Sequence, residues 1–187
     1  MLKKKWTNSR NKVVTILSFM CLFFSESALG HGPSRQKVSE KIIINASPEK
    51  VWEIVSNFSD FTWNTEVKSS KSNDNKIGSL RTLTLENNQQ ITQSLEKLDP
   101  DKKKISWRVQ QASDISLPVN SYQATLIIKD KEGKTEITYK AGFYRGFMGN
   151  DPPEELNDEN SKKKVNLFIE SALKGLKSVS EKWFFSY

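Results

Sequence analysis

The chain has 187 residues, one cysteine, one histidine and a formal net charge of +7 at pH 7. So few cysteines and histidines exclude a disulfide framework and a clustered His/Cys metal site. Residues 1–30 hold five basic residues and one acidic residue, so the rest of the chain carries only about +3. This modest charge makes nucleic acid an unfavourable partner.

The first thirty residues have the arrangement of a secretory signal peptide. A basic segment precedes the uncharged, mostly apolar run Val13–Phe24, and the small-x-small sequence Ala28-Leu29-Gly30 follows. The run has 12 residues, whereas a membrane-spanning helix needs about 20, so a retained anchor is the weaker interpretation. We expect export to the periplasm, cleavage between Gly30 and His31, and a flexible mature N-terminus over residues 31–37.

Cleavage at this point would make His31 the N-terminal residue, where an α-amine and an imidazole could together bind copper. The mature chain offers no second histidine, and no cysteine, because Cys21 lies within the apolar run. Copper and zinc sites need more ligands of these kinds. We therefore predict no metal site and no cofactor.

Residues 38–187 show no internal repeat or linker and are predicted to form one domain. In residues 38–46, VSEKIIINA, alternate positions share one face, as in a β-strand. Ser47 then provides a helix N-cap and Pro48 the first helical position, and apolar residues recur at helical spacing over residues 51–58.

Residues 66–144 follow the period-two pattern of β-strands, interrupted by turn sequences. These turns are Asn87-Asn88, Asp99-Pro100-Asp101 and Lys131-Glu132-Gly133-Lys134. Strands that follow one another through short turns predict an antiparallel sheet with one covered face and one solvated face.

A long amphipathic helix is predicted after Asp151-Pro152-Pro153. The segment Asn157-Asp158-Glu159 caps and charges its start, and an apolar stripe at helical spacing runs from Val165 to Trp183. Such a helix covers one face of the sheet, so the sequence predicts an α+β fold.

The residue inventory gives little support for catalysis. The mature chain has no internal histidine and no thiol, which excludes Ser-His and Cys-His nucleophile pairs. Acid–base chemistry could use one of four carboxylates, alone or with Arg81 or Tyr139, namely Glu40, Asp60, Glu86 or Glu96. Solvated or structural charge is the better interpretation of each. We predict that the protein is not an enzyme.

The order of the elements resembles the START-like or SRPBCC superfamily over residues 38–180. Residues 44–64, INASPEKVWEIVSNFSDFTWN, are similar to its first strand and helix pair. Residues 117–126, LPVNSYQATL, and 137–144, ITYKAGFY, resemble late strands of its polyketide cyclase/dehydrase branch. The resemblance implies a helix-grip fold, in which a curved antiparallel sheet wraps around the long C-terminal helix.

Two further segments resemble the MxaD-type periplasmic proteins of methanol oxidation. They are HGPSRQKV, residues 31–38, and NDPPEELNDE, residues 150–159. The resemblance implies a non-catalytic accessory that helps a quinoprotein methanol dehydrogenase interact with its cytochrome c acceptor. Two lysine runs are most simply solvated surface, or else dock an acidic partner; they comprise Lys102, Lys103, Lys104, Lys162, Lys163 and Lys164.

Helix-grip relatives also enclose an apolar pocket between sheet and long helix, which implies an alternative function as a carrier of a hydrophobic small molecule. A cyclase-like enzyme is the third and least favoured alternative. Strand parity and helical phase direct seven side chains to the pocket, although each is also an ordinary core residue: Phe58, Trp63, Trp107, Tyr139, Phe143, Phe168 and Leu173. The aromatic residues among 183–187 either pack on the sheet or form a partner surface.

Overall fold

The computed structural model describes residues 32–182, which form a seven-stranded antiparallel sheet and two α-helices. The elements are β1 (Gln36–Ile44), α1 (Pro48–Ser56), β2 (Val67–Ser72), β3 (Leu80–Leu85), β4 (Gln90–Asp99), β5 (Lys104–Gln111), β6 (Val119–Lys131), β7 (Lys134–Arg145) and α2 (Asp158–Lys182). The strand order is β1-β7-β6-β5-β4-β3-β2. The predicted signal peptide, the Gly30–His31 cleavage site and residues 183–187 lie outside the described residues.

The hairpin turns lie where the turn sequences predict them. Glu132 and Gly133 join β6 to β7 with φ angles of 56° and 78°. Two consecutive left-handed residues match the right-handed twist of the flanking strands. Asn88, between β3 and β4, also has a positive φ, of 63°. Asparagine tolerates this region better than most residues, so both turns follow from their sequences.

The N-terminus of α1 confirms the predicted cap, since the hydroxyl of Ser47 accepts a hydrogen bond from the backbone N–H of Lys50 at 3.4 Å. The helix pair expected here is wrong, because residues 57–66 form turns instead of a second helix. One cause is Asp60, whose Oδ1 accepts hydrogen bonds from the N–H and the hydroxyl of Thr62. Such local bonds to a side chain compete with helical hydrogen bonds.

The long helix α2 packs its apolar stripe on the inner face of the sheet. The predicted stripe residues buried there are Val165, Phe168, Ile169, Ala172, Leu173 and Leu176. Gly175 is also buried, and a Cβ atom at this position would overlap the carbonyl oxygen of Trp63. The sheet and α2 form the predicted helix-grip arrangement. Over residues 32–182, neither helix combines the length and the apolar character needed to cross a membrane.

Candidate functional site in the interior between the sheet and α2

The seven side chains predicted to line a pocket are all buried in the structure, and none is more than 5% exposed. Ring contacts connect several of them through Phe61, whose centroid lies 4.3 Å from that of Trp63, 5.8 Å from Trp107 and 6.1 Å from Phe168. Trp107 in turn lies 5.5 Å from Tyr139. These distances are those of packed aromatic pairs. A ligand would therefore have to displace rings, and the role of these residues as ligand contacts stays a prediction.

A buried arginine stands at the centre of this aromatic cluster. The guanidinium carbon of Arg81 lies 4.2 Å from the ring centroid of Phe58, 4.1 Å from that of Phe61 and 5.2 Å from that of Trp107. Arg81 is only 2% exposed. Cation–π attraction of this kind offsets part of the cost of removing the charge from water.

Two hydrogen bonds fix the orientation of the guanidinium. Its Nε donates to Oε1 of Gln93 at 2.8 Å, and its Nη1 donates to the backbone carbonyl of Phe58 at 2.9 Å. Gln93 lies opposite Arg81 in the register of β3 and β4 and is fully buried as well. Both side chains therefore point to the interior from neighbouring strands.

Four side-chain nitrogen atoms in this cluster have no hydrogen-bond partner among the described residues. They are Nη2 of Arg81, Nε2 of Gln93, Nε1 of Trp63 and Nε1 of Trp107. Buried polar groups in folded proteins are nearly always paired, and an unpaired one costs about 1–3 kcal/mol. An unpaired group in the interior therefore needs an explanation, and here four occur together.

Among the residues that the structure describes, Arg81 also forms no ion pair with an acid. None of the ion pairs formed within residues 32–182 includes it. Burial lowers the pKa of Arg81 to about 9, while Tyr139 and Asp60 act weakly in the opposite direction. The side chain remains cationic at neutral pH, so the interior holds a positive charge without a counter-charge in contact.

Two tyrosines extend the cluster toward β6 and β7. The hydroxyls of Tyr122 and Tyr139 lie 3.3 Å apart and form a buried hydrogen bond. Burial is the main cause that raises the pKa of each phenol above its usual value. Both hydroxyls are therefore protonated at neutral pH.

A surface depression reaches the edge of this cluster. It has a volume of about 210 Å³ and is lined by Ile54, Asp60, Thr62, Trp63 and Val179. Trp63 thus borders the depression and also contacts Phe61, which covers Arg81.

The sequence pattern indicates Arg81 only as a possible aid to acid–base chemistry, and it indicates neither Gln93 nor Phe61 as a site residue. The alternation of residues along β3 could have identified Arg81 as an interior residue. Arg81 lies on the same face of the strand as Leu83 and Leu85, and all three are buried. An arginine on the apolar face of a strand is unusual. That pattern indicates a polar group in the interior.

The carboxylates considered for acid–base chemistry lie away from this cluster or near its surface. Glu40 and Glu86 are exposed. Glu96 accepts hydrogen bonds from Arg108 and from Gln123, each at 2.6 Å. Asp60 is exposed and bonded to Thr62. No group of three or more His, Cys, Asp or Glu side chains suited to a metal ion occurs in the described part of the chain.

The structure separates the two lysine runs predicted to dock a partner. Ser161, next to the second run, donates a hydrogen bond to the carbonyl of Pro118, just before β6 begins. In the first run, the carbonyl of Lys103 accepts a hydrogen bond from the N–H of Ile128, near the end of β6. Ten residues of strand span roughly 33 Å. The two runs cannot form one patch.

The lysines also differ in exposure. Lys103 is only 28% exposed and pairs with Glu49 at 3.3 Å, whereas Lys102 is exposed. Lys163 and Lys164 line a groove of about 550 Å³ with the 150–159 segment and with Asp114 and Ile115. Their role in docking remains a prediction.

Comparison with solved structures shows a shared fold. The chain is similar to the protein XoxI from Bacillus cereus, with 20% identity, a TM-score of 0.65 and coverage of 77% of this chain and 94% of that one. A protein from Nitrosospira multiformis also has 20% identity, with a TM-score of 0.62 over 78% and 96% of the two chains. Ara h 8.0201 has 10% identity and a TM-score of 0.63 over 79% and 98%. These identities establish the fold alone.

Sequence comparison is more specific about the family. No curated protein matches the chain significantly. The profile of one family, described as polyketide cyclase / dehydrase and lipid transport, matches residues 35–181. This match covers both helices and the whole sheet. The chain therefore belongs to the polyketide cyclase / dehydrase and lipid transport family, within the SRPBCC superfamily.

Proposed function

We propose that this protein binds a small molecule with an apolar body in the interior between the sheet and α2. The observation that carries the proposal is the aromatic cluster around Arg81, a cation with no acidic partner in contact. Ligand sites are typically apolar pockets with a few convergent polar groups. The family description, which includes lipid transport, supports the same function.

We further propose that binding is not accompanied by catalysis. The polar groups at the centre of the cluster are N–H donors, which can hold and orient a ligand. The phenols of Tyr122 and Tyr139 are kept protonated by burial, which makes them poor bases at neutral pH. A carrier or binding protein is therefore favoured over a cyclase-like enzyme.

The test uses the neutral fluorophore N-phenyl-1-naphthylamine, which brightens when it leaves water. We expect saturable binding with one site per chain and displacement by 1-octanol. Nuclear magnetic resonance then locates the probe, because the indole N–H signals of Trp63 and Trp107 should shift while that of Trp52, on α1, should not. Absence of saturable binding, or shifts confined to Trp52, would contradict the proposal.

The second candidate function is that of a periplasmic accessory between a quinoprotein methanol dehydrogenase and its cytochrome c. Its support is the signal-like N-terminus together with the MxaD-like segments at 31–38 and 150–159. The latter segment forms one wall of the groove that contains Lys163 and Lys164. The proposal includes export and cleavage at Gly30–His31. Its test is whether the purified protein changes electron transfer from dehydrogenase to cytochrome c.

A further inference from the structure

The aromatic cluster around Arg81 contains buried hydrogen-bond donors that have no acceptor among the described residues. The four unpaired nitrogen atoms belong to Arg81, Gln93, Trp63 and Trp107, and the first of these side chains is charged. We infer that the ligand carries a carboxylate, which these donors bind and whose charge Arg81 neutralises. This inference rests on the proposed binding function and specifies the chemistry of the ligand.

The number and charge of the groups favour a carboxylate over a neutral acceptor. An ionised carboxylate accepts hydrogen bonds only, at about four lone-pair positions, so it can accept from several of the four unpaired nitrogen atoms at once. An alcohol or a water molecule brings two acceptor positions and no charge. Arginine also matches the planar geometry of a carboxylate, because its fork of N–H groups can bind both oxygens.

The surroundings of Arg81 indicate that the rest of the ligand is apolar. The rings of Phe58, Phe61 and Trp107 enclose the guanidinium, and Phe168 stacks behind Phe61. In the ligand-free protein, cation–π attraction to these rings stabilises the charge. A carboxylic acid with an aliphatic or aromatic body would replace part of that attraction with a stronger ion pair.

The depression beside Trp63 borders the aromatic cluster, because Trp63 lines it and contacts Phe61, which lies against Arg81. Trp63 and Phe61 lie on the turn segment 57–66, so their rings can be displaced without breaking a strand or helix. Asp60, at the rim, is the nearest acid and opposes the approach of an anion. Because Asp60 is exposed and solvent screens it, this repulsion is smaller than the attraction of a buried cation.

The experiment compares octanoate with 1-octanol, which both have eight carbon atoms in an unbranched chain. Competition with the neutral fluorophore at pH 7 measures the dissociation constant of each compound. We expect the constant for octanoate to be about tenfold to a hundredfold lower than that for octanol, which is the range for a charge-assisted hydrogen bond. The Arg81→Met variant should lose this preference and still bind octanol. The matched control is Arg108→Met, because Arg108 pairs with Glu96 on the outer face and should not affect the preference.

Two results would overturn the inference while leaving the binding function intact. One is equal affinity of the wild-type protein for octanoate and octanol, and the other is an acid preference that persists in Arg81→Met. Binding of neither compound nor of the fluorophore would reject the binding function itself. If Arg81→Met does not fold, the comparison of octanoate with octanol on the wild-type protein still tests the inference. The indole N–H signals of Trp63 and Trp107 should move downfield with octanoate and not with octanol.

Discussion

Arg81 and Gln93 face each other across β3 and β4, and the Nε of Arg81 donates to Oε1 of Gln93 at 2.8 Å. This relationship gives a direct test of the positive interior. Gln93→Glu places a carboxylate of almost the same shape beside the guanidinium. The new carboxylate should form an ion pair with Arg81 and neutralise its charge. The preference for octanoate over octanol should then disappear, while octanol binding remains. Competition titrations with the neutral fluorophore measure both affinities.

The control for this change is Gln110→Glu, because Gln110 is exposed on β5 and bonds to Ser94. It adds the same charge at a solvated position. An acid preference that survives in Gln93→Glu would show that Arg81 does not select the ligand. A similar loss in Gln110→Glu would assign the effect to net charge.

The contact between α2 and the segment 57–66 gives a stability prediction. A Cβ atom at Gly175 would overlap the carbonyl oxygen of Trp63, which is backbone and cannot rotate away. Gly175→Ala should therefore lower the free energy of unfolding by about 2 kcal/mol, since overpacking outweighs the helix propensity of alanine. Urea unfolding measures the change, with exposed Lys174→Ala on the same helix as the control. An unchanged midpoint for Gly175→Ala would mean that the segment lies farther from α2.

The sequence was sufficient for elements whose determinants are local. The hairpin at Glu132-Gly133, the cap at Ser47 and the apolar stripe of α2 each depend on residues within a few positions of one another. The candidate site depends on distant ones. That Arg81 points inward follows from the parity of β3, but its surroundings depend on distant residues such as Phe58, Gln93 and Trp107. The contact of Gly175 with Trp63 joins positions more than a hundred residues apart.

Trp107 and Phe168 test whether the sheet and α2 share one aromatic core. Both are almost fully buried, and both contact Phe61. Trp107→Ala and Phe168→Ala should each reduce the free energy of unfolding by about 3–5 kcal/mol, as large truncations in cores do. Because they share a partner, the double variant should cost less than the sum of the single changes. Unchanged unfolding midpoints for both single variants would contradict the helix-to-sheet packing.

The buried tyrosine pair predicts how stability changes in alkali. Burial raises the pKa of Tyr122 and of Tyr139, so from about pH 11 the unfolded state has lost two protons that the folded state retains. Each such proton lowers the free energy of unfolding by about 1.4 kcal/mol per pH unit. Arg81 acts oppositely, since its pKa of about 9 lets the folded state lose a proton that the unfolded state keeps. The net loss should be about 1.4 kcal/mol per pH unit.

Tyr139→Phe removes one of the two phenols and should make the free energy of unfolding nearly independent of pH between about 11 and 12. Tyr144→Phe, at a partly exposed position of β7, should leave the wild-type slope unchanged. Urea titrations at several pH values provide the slopes. A steeper slope in Tyr139→Phe, or a wild-type stability that rises above pH 10, would contradict the assignment of these protons.

The proposed accessory role predicts that the protein stimulates electron transfer from methanol dehydrogenase to cytochrome c without converting substrate itself. Surface lysines can speed the encounter with an acidic partner, so stimulation should weaken with salt as the screening length falls from about 10 Å at 0.1 M to about 3 Å at 1 M. Turnover measured with and without the protein across a salt series tests this.

Because the two lysine runs lie near opposite ends of β6, only one of them should face a given partner. Lys163→Gln with Lys164→Gln alters the groove beside the 150–159 segment and should reduce the stimulation at low salt. Lys102→Gln with Lys104→Gln is the matched control, and it leaves the Lys103–Glu49 pair in place. The reverse pattern would move the docking surface to the turn between β4 and β5. If the stimulation is independent of salt and unchanged in both double variants, the electrostatic mechanism is rejected. If there is no stimulation at low salt, the accessory role is rejected.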